Sequence, residues 1–297
     1  MGEILETQTL DAEGLTRLMA AVRPRLHRYC TRMVGSAFDG EDVVQEALTH
    51  ALLAFPSAGD ILHPESWLLR IAHNAALDAL RRRKRQGFAE SDEALDNLID
   101  LGSQADARVA AAASLATFLH LTTVQRSSVV LVDVLGYSLA ETVDILGMSL
   151  AAVKAALHRG RARLRELVDA SEDAIPKLAT PDRERLRAYA ERFNARDFDA
   201  LRDLLSEEVR LDLVNRTRLA GRKEVLTYFS RYEEASACRL ALGWSEHQFV
   251  LLAHDPTLTA DDIAYVILLD WADDRIVGIR DFRYAPYVMD SLSVHAV

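Results

Sequence analysis

The chain has 297 residues, 49% of them apolar, with 35 Lys+Arg against 45 Asp+Glu, a formal net charge of −10 and two cysteines. This suits about two domains of ordinary size, or three small ones, with ample apolar content for packed cores. Cys30 and Cys238 lie far apart with no companion histidine pattern, which excludes a disulfide framework or cysteine-based zinc site and leaves two buried, reduced thiols as the expectation. No run approaches the eighteen apolar residues a membrane span needs, and the acidic start MGEILETQTLDAEGL has no apolar segment, so a cytoplasmic protein without membrane contact is expected.

In chain order, Asp11 to Val34 keeps helical spacing through Leu15, Leu18, Met19, Val22, Leu26, Tyr29 and Met33, with Pro24 placed to kink or break it. Asp39 is the expected cap of a second helix, GEDVVQEALTHALLAF, burying Val43, Ala47, Ala51 and Leu52. Its other face carries Asp42, Gln45, Glu46 and Thr49. By periodicity alone such a row is a solvated surface. After the loop SAGDILHP, a helix from Glu65 to Arg85 packs through Leu68, Ile71, Ala72 and Ala75 and presents Arg70, His73, Asn74 and Asp78 elsewhere. It closes in RRRKR, more cations than a helix dipole requires, which points to phosphate contact.

Charge is segregated along the chain. From Arg70 to Arg85 there are six cations and one acid, Asp78, whereas Ala89 to Ala107 holds six acids and no base. An acidic total is thus compatible with contact to nucleic acid at separate basic faces.

The richest stretch is Tyr137 to Arg165. Ser138 and Glu141 form a capping box, Leu139, Val143 and Leu146 an apolar stripe, Gly147 a stop, and Ser149 a second cap. The following helix puts Leu150, Val153, Leu157 and Leu164 on one side at helical spacing. Lys154, His158, Arg159, Arg161, Arg163 and Arg165 project away from that stripe, giving five fixed cations in twelve residues on a helix narrow enough for a DNA major groove. The pattern is a helix-turn-helix.

Taken together, Glu41-Asp42-Val43-Val44-Gln45-Glu46-Ala47, Ser66-Trp67-Leu68-Leu69-Arg70-Ile71-Ala72-His73-Asn74, Gln125-Arg126 and Leu157-His158-Arg159-Gly160-Arg161-Ala162-Arg163-Leu164 resemble a bacterial sigma factor of the extracytoplasmic-function (ECF) group, over about residues 10 to 168. The resemblance implies two all-α domains, 1–88 and 111–168, joined by an acidic linker, 89–110, that runs toward the RNA exit path or serves as a plain spacer. It implies RNA polymerase core (β′ clamp and β flap) and promoter DNA as partners. It assigns Asp42, Gln45 and Glu46 to the clamp coiled coil of β′. Arg70, His73, Asn74, Asp78, Arg81, Arg82 and the loop Ala58 to Pro64 would hold the melted minus-ten strand. Lys154, Ala155, His158, Arg159 and Arg161 would read the minus-thirty-five duplex, Ala155 by apolar contact or not at all.

From Asp169 to Pro181 periodicity is lost and two prolines appear, marking a boundary, 169–181. Beyond it helices are expected over Arg183 to Ala195, Phe198 to Leu205 and Gly221 to Glu234. Strands are expected over Val209 to Val214, Arg239 to Ser245, Gln248 to His254, Ile263 to Trp271 and Arg275 to Arg283. This order resembles a SnoaL-like cone, 182–297, an α+β domain whose curved antiparallel sheet carries helices on one side. In some ECF sigma factors such a cone is a fused regulator, able to meet a small-molecule or protein effector. Asp212, His247, Asp270 and Asp281 are its acid/base candidates, but they form no paired constellation, and Trp244, Trp271, Phe282 and Tyr284 read as core or pocket lining.

The expectation is a promoter-specificity subunit regulated in cis by its C-terminal domain, without catalytic residue, metal or cofactor. The alternatives are a one-component regulator that pairs the helix-turn-helix with a ligand in the cone, and an enzyme whose DNA-binding half is incidental. The Asp42, Gln45, Glu46 face discriminates, since a repressor needs no such surface.

Overall fold

A computed structural model describes residues 10–85, 106, 108–110, 113–167, 181–234, 237–259 and 262–297. Most of the acidic stretch 89–110 and all of 169–180 lie outside the described residues, and with them the expectations about the linker path and the domain boundary. The chain divides into two compact units, Met1–Glu172 and Asp173–Val297.

In the first unit, α1 (Ala12–Val34) begins where Asp11 accepts a hydrogen bond from the Gly14 amide at 2.6 Å and ends at Gly35. Pro24 does not break it, and the helix is continuous through that position. The cap of α2 (Ala37–Ala54) is Ser36, whose hydroxyl accepts from the Asp39 amide, so the expected cap Asp39 falls in the first turn instead. α3 spans Pro64–Arg85. Then come α4 (Leu115–Leu119) and α5 (Thr123–Val129), with a capping box of Thr122 and Gln125, which continues as a π turn over Val130–Val134. The helix-turn-helix is α6 (Leu139–Leu146) and α7 (Leu150–Leu167). Its reciprocal capping box forms as expected, with the Ser138 amide donating to Glu141 at 2.8 Å and the Glu141 amide to Ser138 at 3.2 Å. Gly147 stops α6 at φ +65°, in the left-handed region where a Cβ is costly.

These helices share one apolar core. Leu26, Tyr29, Met33, Val44 and Leu69 of the first three pack in the same cluster as Phe118, Val129, Leu131, Ile145 and Leu157 of the later ones. Arg126 of α5 is fully buried in it, donating to the Met33 carbonyl at the end of α1 and to those of Leu119 and Leu121 at 3.2 and 3.0 Å. Burying a guanidinium is tolerable only with such partners.

The second unit places α8 (Pro181–Asn194), α9 (Phe198–Asp203) and α10 (Arg222–Glu234) with a seven-stranded sheet. Its strands are β1 (Leu205–Leu213), β2 (Thr217–Ala220), β3 (Arg239–Ser245), β4 (Gln248–His254), β5 (Tyr265–Ala272), β6 (Arg275–Asp281) and β7 (His295–Ala296), in the order β2-β1-β6-β5-β4-β3-β7. The expected antiparallel sheet needs one amendment: β1 pairs with β6 in parallel, Leu211 opposite Ile279, so the sheet is mixed. β2 and β7 are edge strands, too short for a periodicity signal. Helix residues Leu186, Tyr189, Phe193, Phe198, Val225, Tyr228, Phe229 and Tyr232 are all buried, as are Val250, Leu252, Ile267 and Ile279 of the strands.

Candidate nucleic-acid interface

On α7 the buried positions are Val153, Ala156, Leu157, Gly160 and Leu164. Gly160 is needed for close approach, since a Cβ there would stand 2.6 Å from the Val129 side chain. Lys154 is exposed, and Ala155, His158 and Arg159 are half-buried along one side. Arg161 is not on that open side. Its Nε and Nη2 donate to the two carboxylate oxygens of Asp133 at 2.9 and 2.6 Å, with Asp133 only 3% exposed. The fork-on-fork geometry clamps the C-terminal half of α7 to the π turn, and the carboxylate raises the Arg161 pKa further. Arg163 pairs with Glu166 and Arg165 with Asp106. Three of the five cations thus have acid partners within the unit, whereas Lys154 and Arg159 form no ion pair among the described residues.

Along α3, Arg70, Asn74, Asp78 and Arg81 are exposed at spacings of four, four and three, one face of a helix. His73 is turned inward. Its Nδ1 lies 2.7 Å from the Tyr29 hydroxyl, and burial lowers its pKa to about 4, so it is a neutral core residue at pH 7. The basic tail is largely paired. Arg81 meets Asp78 at 2.8 Å, Arg82 grips Glu46 through two hydrogen bonds of 3.1 and 2.7 Å, and Arg83 meets Asp39 at 3.3 Å while donating to the Val34 carbonyl at the end of α1. Arg70 donates to the backbone carbonyl of Asp144 in α6.

On α2, Asp42 and Thr49 are exposed and Gln45 and Glu46 half-buried, so the acid and amide row does face outward. Leu52, expected in the core, is 51% exposed and Leu53 is 74% exposed, with Leu48 taking the buried position. The buried stripe of α2 runs through Val43, Val44, Ala47, Leu48 and Ala51, and at about 100° per residue Leu52 falls beyond its edge.

In the second unit the four acid/base candidates are not brought together. Asp212 pairs with Arg218 at 3.1 Å on the surface, His247 sits in the β3–β4 turn at φ +62°, and Asp270 is exposed. Asp281 is buried, with Oδ2 accepting from the hydroxyls of Tyr228 and Tyr232 at 2.8 Å each and Oδ1 from the Arg283 amide at 2.8 Å. Tyr265 links Tyr232 at 3.1 Å to Cys238 at 3.4 Å. Burial pushes the Asp281 pKa up against these hydrogen bonds, and burial beside that carboxylate holds both tyrosines well above their ordinary value. The three tyrosines escaped the sequence reading. The signal was Tyr228 and Tyr232, four apart on the apolar face of α10. Among the described residues no group of three or more His, Cys, Asp or Glu could hold a metal ion, and both cysteines are free and buried.

The first unit is thus a helical body with a capped helix-turn-helix and two outward polar faces, and sequence comparison assigns it to the sigma class. Residues 18–86 match sigma-70 region 2 and residues 115–164 match sigma-70 region 4. The chain is 32% identical over 215 residues to the ECF RNA polymerase sigma factor SigG of Mycobacterium tuberculosis, covering 63% of this chain and 57% of SigG. It is 35% identical over 161 residues to SigM of the same organism, covering 53% of this chain and 79% of SigM. The crystal structure of M. tuberculosis SigJ, another ECF sigma factor, covers 90% of this chain and 95% of its own at 21% identity and a TM-score of 0.33. The chain belongs to the ECF RNA polymerase sigma factors. It spans just over half the length of SigG.

Proposed function

We propose that this chain gives core RNA polymerase its promoter specificity and that its SnoaL-like C-terminal domain regulates it in cis. The observation that carries this is the placement of two separate outward faces on one helical unit, Asp42, Gln45 and Glu46 on α2 and Lys154 and Arg159 on α7. The first docks on the β′ clamp, and the second reads the minus-thirty-five duplex together with Ala155 and His158. Domain 111–168 also meets the β flap. Arg70, Asn74, Asp78, Arg81 and Arg82 face the melted minus-ten strand. His73 and Arg161 act as positioning residues, the one setting α3 against α1 and the other fixing α7 on the π turn. On this reading the protein works in the cytoplasm and performs no chemistry itself, and the tyrosine-ringed Asp281 holds the cone together.

The test is in vitro transcription with core polymerase on genomic fragments. Specific transcripts that depend on the protein are expected. A chain that binds operator DNA but leaves core polymerase unchanged would be a one-component regulator instead. Comparing the full chain with one ending near Ala170, at equal core occupancy, tests the cone: the truncated chain is expected to be more active, because an acidic fused domain tends to cover basic DNA-binding faces. Equal activity at every salt concentration would remove the cone from regulation.

A further inference from the structure

The basic tail of α3 reads in the sequence as a phosphate contact, yet two of its arginines turn toward α2. Arg82 sends both terminal nitrogens to Glu46, Nη1 to Oε1 at 3.1 Å and Nη2 to Oε2 at 2.7 Å. Arg83 meets Asp39 at 3.3 Å and donates to the Val34 carbonyl at the end of α1 at 2.8 Å. Consecutive residues on a helix point about 100° apart, so the two arginines reach α2 in different directions. Asp39 and Glu46 stand two helical turns apart, roughly 10 Å along the axis at about 1.5 Å per residue. Asp42 and Gln45, the rest of the proposed docking row, lie between these two grips.

Neither helix capping nor folding stability accounts for the fork on Glu46. A cation that serves the negative end of the α3 dipole turns to its own helix, as Arg85 does in donating to the Arg81 carbonyl at 3.3 Å. The side chains of Arg82 and Glu46 are 48% and 32% exposed, and ion pairs so open to water contribute little to folding. What the fork does is fix a rotamer. A glutamate on an exposed helix face changes rotamer freely, and ordering it on association costs affinity. A planar guanidinium matches a carboxylate in one relative orientation, so the cost is met before a partner arrives. The fork uses one lone pair of each oxygen, and a carboxylate has about four, so Glu46 can still accept hydrogen bonds from a partner.

We infer that Arg82 is a positioning residue of the polymerase-docking face, its fork holding Glu46 in the rotamer that core polymerase takes, with Arg83 anchoring the other end of the row through Asp39. This rests on the promoter-specificity reading and gives a residue of the minus-ten face a second duty. Arg82 acts on polymerase through Glu46.

The experiment measures the affinity of the full chain for core RNA polymerase by surface plasmon resonance, with circular-dichroism melts as a check on folding. Arg82→Ala should melt close to the parent chain and bind core about fivefold more weakly, the effect of freeing one long side chain. Arg82→Lys keeps the charge and cannot form the fork, so it should bind core like Arg82→Ala. Lys84→Ala removes an exposed cation of the same tail and shows what loss of charge alone does. The deciding measurement is a double-mutant cycle: Glu46→Ala should weaken core binding, and adding Arg82→Ala to it should cost nothing more. Full recovery by Arg82→Lys, additive losses in the cycle, or an Arg82→Ala loss no larger than that of Lys84→Ala would overturn the inference. In those cases the parent chain still binds core, whereas a parent chain that does not bind core removes the promoter reading and this inference with it.

Discussion

Arg161 separates a structural role from a reading role most sharply, since by sequence it belongs among the minus-thirty-five residues and by structure it is clamped to Asp133. With Arg161 12% and Asp133 3% exposed, the pair is mostly out of water. Removing one partner of such a pair leaves a desolvated charge and costs about 3–5 kcal/mol when burial is complete. Arg161 keeps some solvent, so about 3 kcal/mol is expected for Asp133→Ala. In a unit of this size that corresponds to a melting point lower by about 6–12 °C, at about 2–4 °C per kcal/mol. Differential scanning calorimetry of the full chain should show the loss in the transition of the first unit only. Arg161→Ala should do the same, with the salt dependence of DNA binding by the folded protein unchanged. Arg161 is a DNA contact instead if Arg161→Ala melts like the parent chain and the slope of log K against log salt falls by about one, the mark of a lost phosphate contact.

The contrasting pair is Lys154→Ala and Arg159→Ala, each expected to lower the salt slope by about one and weaken promoter use while leaving melting and core binding intact, as fluorescence anisotropy against salt and a core-binding assay will show. Acid should destabilise the first unit through His27 and His73, both lowered by burial from 6.5 to about 4. A depressed pKa means that the unfolded chain takes up the proton first, so the stability these residues confer is complete above about pH 6.5 and is lost as pH falls toward 4. At about 1.4 kcal/mol per unit this is roughly 3 kcal/mol for each. Urea melts from pH 7.5 to 4 should show it, and His27→Gln with His73→Gln should flatten the curve. In the cone, Tyr228→Phe removes one of the two phenol donors to the buried Asp281 carboxyl and should cost about 1.5–3 kcal/mol in the second transition. An unchanged transition would mean that Asp281 is held by Tyr232 and the Arg283 amide alone.

Much of this protein is legible in its sequence, for a local reason. Capping boxes, glycine stops and apolar spacing act within a few residues, so Ser138, Glu141, Gly147 and Ser149 announced the helix-turn-helix, and the structure forms it with those hydrogen bonds. Strands over 239–245 and 248–254 were equally plain, because alternation and turn residues bound them on both sides. The faces of Asp42, Gln45, Glu46, Lys154 and Arg159 followed from periodicity, and their meaning came from resemblance. What sequence spacing could not decide was which charged side chains find partners from distant segments. His73 and Arg161 look like surface readers on a helical wheel, yet Tyr29, 44 residues away, takes one and Asp133, 28 residues away, takes the other. The ring of Tyr228, Tyr232 and Tyr265 around Asp281 joins a helix to two strands, and the single parallel pairing of β1 with β6 joins segments more than sixty residues apart. Such partnerships depend on how helices and strands cross, and crossing is decided by the packing of whole elements.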